Sequence, residues 1–379
     1  MLYIKIPKVN HTIFRWLCMN KFNSEDTNEN INKGKDKNVN INIVKSNLIN
    51  FDRIYYEKEI LEYNQGKEIL DMYNNIPKIE INSHNNIEEL RKYENKDFTK
   101  LKKYLILGIR KTHKYTENHK TSDYLVPFTS SGCSAMCLYC YLVCNYNKCS
   151  YLRIFLNKEE MMNRISRKIL SSEKELTLEI GSNSDLLLEN LITGNLKWTI
   201  EKFTKLNKGY LTFPTKFHFI DDILDIDHKG RIIVRMSVNP DYIISKVELL
   251  TSSLKDRVEA INKLAAKGYK IGILVAPVIM VDNYKELYLE LIEYLKNNLS
   301  DKAKEIIFFE VIFMTYSFVH NEINKEAFPK AIKIFDKEKM KGRGRGKYMY
   351  KNDMLTEGKS YIEFLLKSNF PKNDIKYIV

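Results

Sequence analysis

Residues 130–144 read "SSGCSAMCLYCYLVC" and hold four of the six cysteines in the chain. Cys133, Cys137 and Cys140 are spaced Cys-x3-Cys-x2-Cys, and Cys144 follows four positions later. The stretch comes directly after "YLVPFT" (124–129), an apolar run with strand character, so the thiols are expected on a loop at the end of a strand. Thiols grouped in this way serve two metal chemistries. Structural zinc takes four ligands, usually in two pairs, and Cys144 and Cys149 are the candidates to complete such a set because the seven histidines are scattered. A [4Fe–4S] cluster usually takes four thiolates, and one held by three keeps an iron open to a further ligand.

Either reading needs reduced thiols. No apolar run approaches the ~20 residues of a membrane span. The opening "MLYIKIPKVNHTIFRWLCMNKF" lacks the long apolar core and small-residue cleavage site of a secretory leader. The expectation is a cytoplasmic protein with no membrane association, in which clustered cysteines act as ligands or catalysts and not as disulfides.

Outward from the cysteines, short apolar runs alternate with segments of helical period. "YLILGI", "YLVPFT", "LTLEI", "LTFPTKF", "RIIVRMSV", "IGILVAP" and "IIFFEVIF" are the strand candidates, several apolar throughout as in a parallel sheet buried on both faces. "KEEMMNRISRKILSS", "LLLENLITGNLKWTIEKFTKL", "SSLKDRVEAINKLAAKG" and "YKELYLELIEYLKNNL" carry apolar residues at helical spacing. In the third, Ser253 with Asp256 has the form of a capping box, and Gly268 stands where a helix would stop. Strand and helix alternating about six times indicate α/β architecture, as a barrel or a doubly wound sheet.

The chain has 379 residues, 44% of them hydrophobic and 29% charged, enough for one large domain or two ordinary ones. Residues 22–50, rich in Asn, Lys and Asp, hold too few apolar groups to order themselves, and residues 1–50 are read as a flexible extension. Sixty-one Lys and Arg against 48 Asp and Glu leave a net charge of +13, which suits a polyanionic partner.

The cysteine spacing, with Tyr139 before the third thiol, resembles the signature of the radical SAM superfamily. That resemblance implies a [4Fe–4S] cluster on Cys133, Cys137 and Cys140, S-adenosyl-L-methionine on the open iron, and a partial (β/α)6 TIM barrel over residues 121–320. "GCSAMCLYCYL" followed by "YLRIFLN" narrows the likeness to the spore photoproduct lyase family. It extends from about residue 53 to the C-terminus through "YYEKEILEYNQGKEIL", "SHNN", "LGIRKT", "TKFHFIDDILD", "RMSVNPDYII", "TSSLKDRVEAINKLAAKGYKIGILVAPV", "FFEVI" and "GKYMY". It implies a lyase that repairs DNA by reverting the methylene-bridged thymine dimer, with flavodoxin or ferredoxin as electron donor, inside the spore or germinating cell. Tyr139, Ser184, Lys216, Ser237 and Ala276 match the cofactor site. Tyr141 matches a tyrosine that relays hydrogen, and Ser182 matches the cysteine that returns it to the product. A serine O–H bond is too strong for that donation, so Cys144, or Cys149 beyond it, is the candidate donor.

By the same resemblance, residues 51–120 form an N-terminal α/β segment packing on the barrel and residues 321–379 a DNA-contacting segment. In the latter, "KEKMKGRGRGKYMYKND" combines three glycines, basic residues and tyrosines, with Tyr348 and Tyr350 read as alternating faces of a strand. The family places a β-hairpin there that opens the duplex, which assigns double-stranded DNA to Arg343, Lys347 and Tyr348. The chain departs from the pattern at Gly344, where an aromatic follows the wedge arginine, and at Phe313, Met314 and Thr315, where polar residues stand. Two alternatives stay open: a diverged radical SAM paralogue with another substrate, and a non-enzymatic, zinc-containing DNA-binding protein.

Overall fold

The computed structural model describes residues 49–144 and 151–379. The flexible extension expected over residues 1–50 lies outside them except for its last two positions, as does Cys149. The largest sheet has eight strands: β1 (Thr116–Glu117), β2 (Tyr124–Val126), β3 (Thr177–Ile180), β4 (Tyr210–Thr215), β5 (Ile232–Val238), β6 (Lys270–Val278), β7 (Phe308–Phe313) and β8 (Ile375–Ile378). They lie side by side in chain order, with β2 to β8 parallel and β1 folded back antiparallel on β2. Parallel neighbours need long crossovers, and helices supply them. Lys158–Leu170 leads into β3, Leu186–Thr193 and Asn195–Phe203 into β4, Leu254–Ala266 into β6 and Tyr284–Asn298 into β7. This is the curled, open sheet of a partial barrel, whose edges β1 and β8 are not paired to each other.

Strands β2 to β7 are the six expected from the apolar runs. The seventh parallel strand, β8, is short and half-polar and gave no such signal. "YLILGI" instead forms Tyr104–Gly108, the centre of a second sheet ordered Lys78–Ile81, Arg53–Glu57, Tyr104–Gly108, Leu152–Phe155, Ser130–Ser131. All five of its residues are buried, as in the barrel strands, so apolarity alone could not tell which sheet it joins.

Local signals hold where the chain turns. The Ser253 hydroxyl accepts from the Asp256 amide at 3.1 Å and starts the helix Leu254–Ala266, and Gly268, with φ +82°, follows its end. Gly194 (φ +63°) divides the long apolar segment after β3 into two helices. Inside the barrel, Arg235 of β5 meets Glu179 of β3 at 2.8 Å and Glu310 of β7 at 3.2 Å. This buried ionic layer lies two residues before Ser237, on the same face of the strand.

Candidate active site

The cysteine loop hangs between the two sheets. Ser130–Ser131 pairs antiparallel with Leu152–Phe155 of the second sheet, and Gly132 then bridges to Ser184 just beyond β3. Three separate parts of the chain hold the loop. Lys102, itself buried, donates to the Cys133 carbonyl at 2.7 Å. Met136–Cys137 pairs with Glu248–Leu249. From the helix Phe318–Ala327, Asn324 donates to the Leu138 carbonyl at 2.7 Å, and His320 Nδ1 lies 2.9 Å from the Cys140 carbonyl.

The three thiols share one locus. The ionisation of Cys133 is opposed by Cys140, and that of Cys137 by both others. Burial pushes the Cys133 thiol up to about 12 and the Cys137 thiol higher still, so without a cationic group to bind, both stay protonated. Among the described residues, no three His, Cys, Asp or Glu side chains stand close enough to grip one metal ion. Thiolates on a single zinc would lie roughly 4 Å apart. Three soft donors on one loop are the donor type an iron–sulfur group takes. The Ser134 hydroxyl, buried inside the loop with no partner, is a further polar atom that a bound group would meet.

Beside the loop, the strand ends converge on one carboxylate that the sequence did not announce. Glu248 is buried and accepts from Tyr139 Oη, from Asn239 Nδ2 at 2.8 Å and from Arg257 Nη2 at 2.7 Å, with Lys216 Nζ at 3.5 Å. Burial alone would raise its pKa, but the Lys216 and Arg257 charges outweigh that and hold the carboxyl down to about 2. Lys216 also donates to Ser237 Oγ at 2.5 Å and to the Ala276 carbonyl at 3.0 Å, and Ser237 Oγ donates to the same carbonyl at 2.9 Å. Its ammonium lies 5.8 Å from the centre of the Tyr139 ring. Tyr139, Lys216, Ser237 and Ala276, far apart in sequence, therefore form one contiguous network. Burial first, and then the Glu248 charge, push the Tyr139 hydroxyl well up, so it stays a donor.

Ser184 stands slightly apart, accepting from Ser130 Oγ at 2.8 Å. Its neighbour Asp185 caps the helix Leu186–Thr193 and accepts from Thr215 Oγ1 at 2.9 Å and from the Lys216 amide at 2.9 Å. It thereby ties the end of β3 to the end of β4. Tyr141, which is exposed, donates its hydroxyl to the Ser182 carbonyl, so the two residues matched to hydrogen return are in contact. Cys144 ends the short 3-10 turn Tyr141–Cys144, and its side chain lies outside the described residues.

Met340–Gly344 and Lys347–Tyr350 make the expected hairpin, extended by Thr315–Ser317 into a three-stranded sheet. Arg343 and Lys347 are exposed. Tyr348 is half-buried, its ring 4.6 Å from that of Phe335. The alternating placement of Tyr348 and Tyr350 needs correcting: residues two apart share a strand face. Tyr350 is in the core, where its hydroxyl accepts from the Met280 amide at 2.8 Å. Phe313 and Met314 are also buried, whereas Thr315 is exposed.

Sequence reasoning missed Glu248, Arg257, Asp185, His320 and Lys102. A signal existed for Arg257: with Leu254, Val258, Ile261 and Ala265 it falls on the buried stripe of its helix, and a charge there demands a buried partner. Glu248, on a two-residue strand, carries no such pattern.

A family model described as "Spore photoproduct lyase" matches residues 49–379. The spore photoproduct lyase of Bacillus subtilis (strain 168) is 33% identical over 332 residues, 86% of this chain and 97% of that protein. That of Clostridium acetobutylicum is 31% identical over 339 residues, 87% of this chain and 99% of that one. Among solved structures, a spore photoproduct lyase complexed with dinucleoside spore photoproduct superposes with a TM-score of 0.81 at 28% identity, covering 87% of this chain and 99% of the other. A variant of such a lyase with bound AdoMet and dinucleoside spore photoproduct gives 0.80 at the same identity, again over 87% of this chain and 99% of the other.

Proposed function

The chain belongs to the spore photoproduct lyase family, and we propose from this that it repairs DNA by reverting the spore photoproduct to two thymines. The observation that carries the reading is the network of Tyr139, Lys216, Ser237 and Ala276 standing beside a loop of three clustered thiols. When bound, the cluster and S-adenosylmethionine supply an electron and the 5′-deoxyadenosyl radical that takes a hydrogen from the bridged thymine. Cys133, Cys137 and Cys140 would hold the cluster as thiolates. Lys216, fixed by Ser237, Ala276 and Glu248, presents its ammonium at the cofactor site, and Ser184 lines it beside Ser130. Double-stranded DNA lies against the hairpin at Arg343, Lys347 and Tyr348. A low-potential carrier such as flavodoxin or ferredoxin supplies the electron, and the reaction belongs to the interior of the spore or germinating cell. No helix among the described residues is long and apolar enough to cross a membrane.

Hydrogen return is where this chain has its own solution. Ser182 cannot donate hydrogen, and its carbonyl is occupied by Tyr141. We assign the donation to Cys144, four residues past the last cluster ligand, with Tyr141 relaying. Clean thymine repair retained by Cys144→Ala would eliminate that assignment. Ser182 also favours a second reading, in which the radical machinery operates but yields altered products. One anaerobic assay separates the two: the reconstituted, reduced protein is given S-adenosylmethionine and a synthetic photoproduct, and products are followed by mass. Restored thymines are expected. Deoxyadenosine with altered thymine adducts establishes the second reading, and neither product refutes both.

A further inference from the structure

The helix Phe318–Ala327 has two tasks on opposite sides. Its buried side holds the cysteine loop through His320 and Asn324. Its first residues, Phe318 and Val319, face solvent, and the Phe318 side chain is 53% exposed. Exposure of one aromatic is ordinary in itself; what distinguishes this ring is its place against a basic turn. Phe318 is also fixed in place: its amide donates to the Gly346 carbonyl at 2.8 Å, and Ser317 before it pairs with Lys347. The ring therefore stands at the turn of the basic hairpin, on the same helix that grips the carbonyl of a cluster ligand.

The turn itself is unusual at Arg345. Gly344, Arg345 and Gly346 all have left-handed backbone, at φ +91°, +51° and +67°. Glycine suits such positions, whereas a long side chain costs about 1 kcal/mol there. Open space surrounds Gly344, so no neighbour dictates the residue type at this tip. Among the described residues, the side chains of Arg343, Arg345 and Lys347 are exposed and take part in no hydrogen bond or ion pair. A residue kept at a conformational cost, with its charge unspent inside the protein, is placed for a ligand. Three free cations flanking an exposed aromatic ring match a nucleic acid strand: cations for phosphates and a flat apolar face for a base.

We infer that Phe318 and Arg345 form a clamp on the duplex, Phe318 stacking against a base beside the lesion and Arg345 holding the adjoining phosphodiester. The inference rests on the DNA-repair reading above and adds to the hairpin a stacking surface contributed by a different element. The test is duplex binding by the reconstituted holoenzyme, followed by fluorescence anisotropy over a range of salt, with Phe318→Ala, Phe318→Trp, Arg345→Gly and Arg345→Lys. Phe318→Ala is expected to weaken binding about tenfold and Phe318→Trp to restore it. Arg345→Gly is expected to weaken binding and lower the salt slope by about one, while its thermal midpoint rises because the turn is relieved. A merely structural Arg345 would show the rise in midpoint without the loss of binding. If the unsubstituted protein binds duplex and the four variants bind as it does, the clamp is wrong and the repair reading stands. If the unsubstituted protein does not bind duplex, both fall together.

Discussion

Glu248 and Arg257 are both fully buried, and neither tolerates the loss of the other. Replacing Glu248 by Gln strands the Arg257 charge and should destabilise the fold by about 3–5 kcal/mol. The pH dependence has a definite sign. The folded carboxyl, at about 2, lies below its ordinary value of 4.5, so its contribution is complete above pH 4.5 and is lost as the pH falls toward 2. The gap in thermal midpoint between the unsubstituted protein and Glu248→Gln should therefore narrow over that interval, and a constant gap would contradict the assignment. Ser182 supports a second expectation at this scale. Ser182→Cys puts a weak S–H bond where Tyr141 already makes contact, so repaired thymine per deoxyadenosine should rise. An unchanged product ratio would mean that Cys144 already returns hydrogen to every product radical and that position 182 adds nothing.

At the scale of elements, the turn after β3 positions Ser182 through Gly181. Gly181 has φ +80°, and a Cβ on it would lie 2.8 Å from Leu186 Cγ. Gly181→Ala should cost about 2 kcal/mol. Because the turn carries the Ser182 carbonyl, the substitution should also displace Tyr141, visible as altered tyrosine fluorescence; a variant as stable as the parent would show that the turn relaxes freely. The elements were legible in the sequence in proportion to the regularity of their apolar pattern. The helix Leu254–Ala266 announces its cap, its stripe and its stop, and the barrel strands β2 to β7 announce themselves by apolar runs. The cysteine spacing singled out the three thiols, and the resemblance singled out Lys216, Ser237 and Ala276, which the fold brings into one network. What the sequence withheld has no apolar run to mark it: Glu248 stands on two residues of strand, and β8 is half-polar. A dipeptide has no periodicity to read, and its role arises only from what packs against it.

The whole molecule depends on its last residues. Strand β8 covers the edge of β7, with the Val379 amide donating to Val311 at 3.0 Å and the Phe313 amide donating to Val379 at 2.7 Å. The Tyr377 hydroxyl completes the buried ionic layer on Glu310 at 2.9 Å. Removing residues 375–379 exposes the apolar strand "FFEVIF" along an open edge, a template for self-association. The truncated protein is expected to elute as aggregate in size exclusion, and a monodisperse, folded product would disprove the role given to β8.

The clamp on the cysteine loop also imposes an order in time. Cys140 leaves the ribosome 180 residues ahead of His320, which holds its carbonyl. At 5–20 residues per second, translation leaves an interval on the order of 10–40 s in which the three thiols exist without the helix that will fix them. During synthesis the nascent loop is thus at once most accessible to cluster delivery and most vulnerable to oxygen, and air reaching the translating cell should harm this site more than the same exposure of the finished protein.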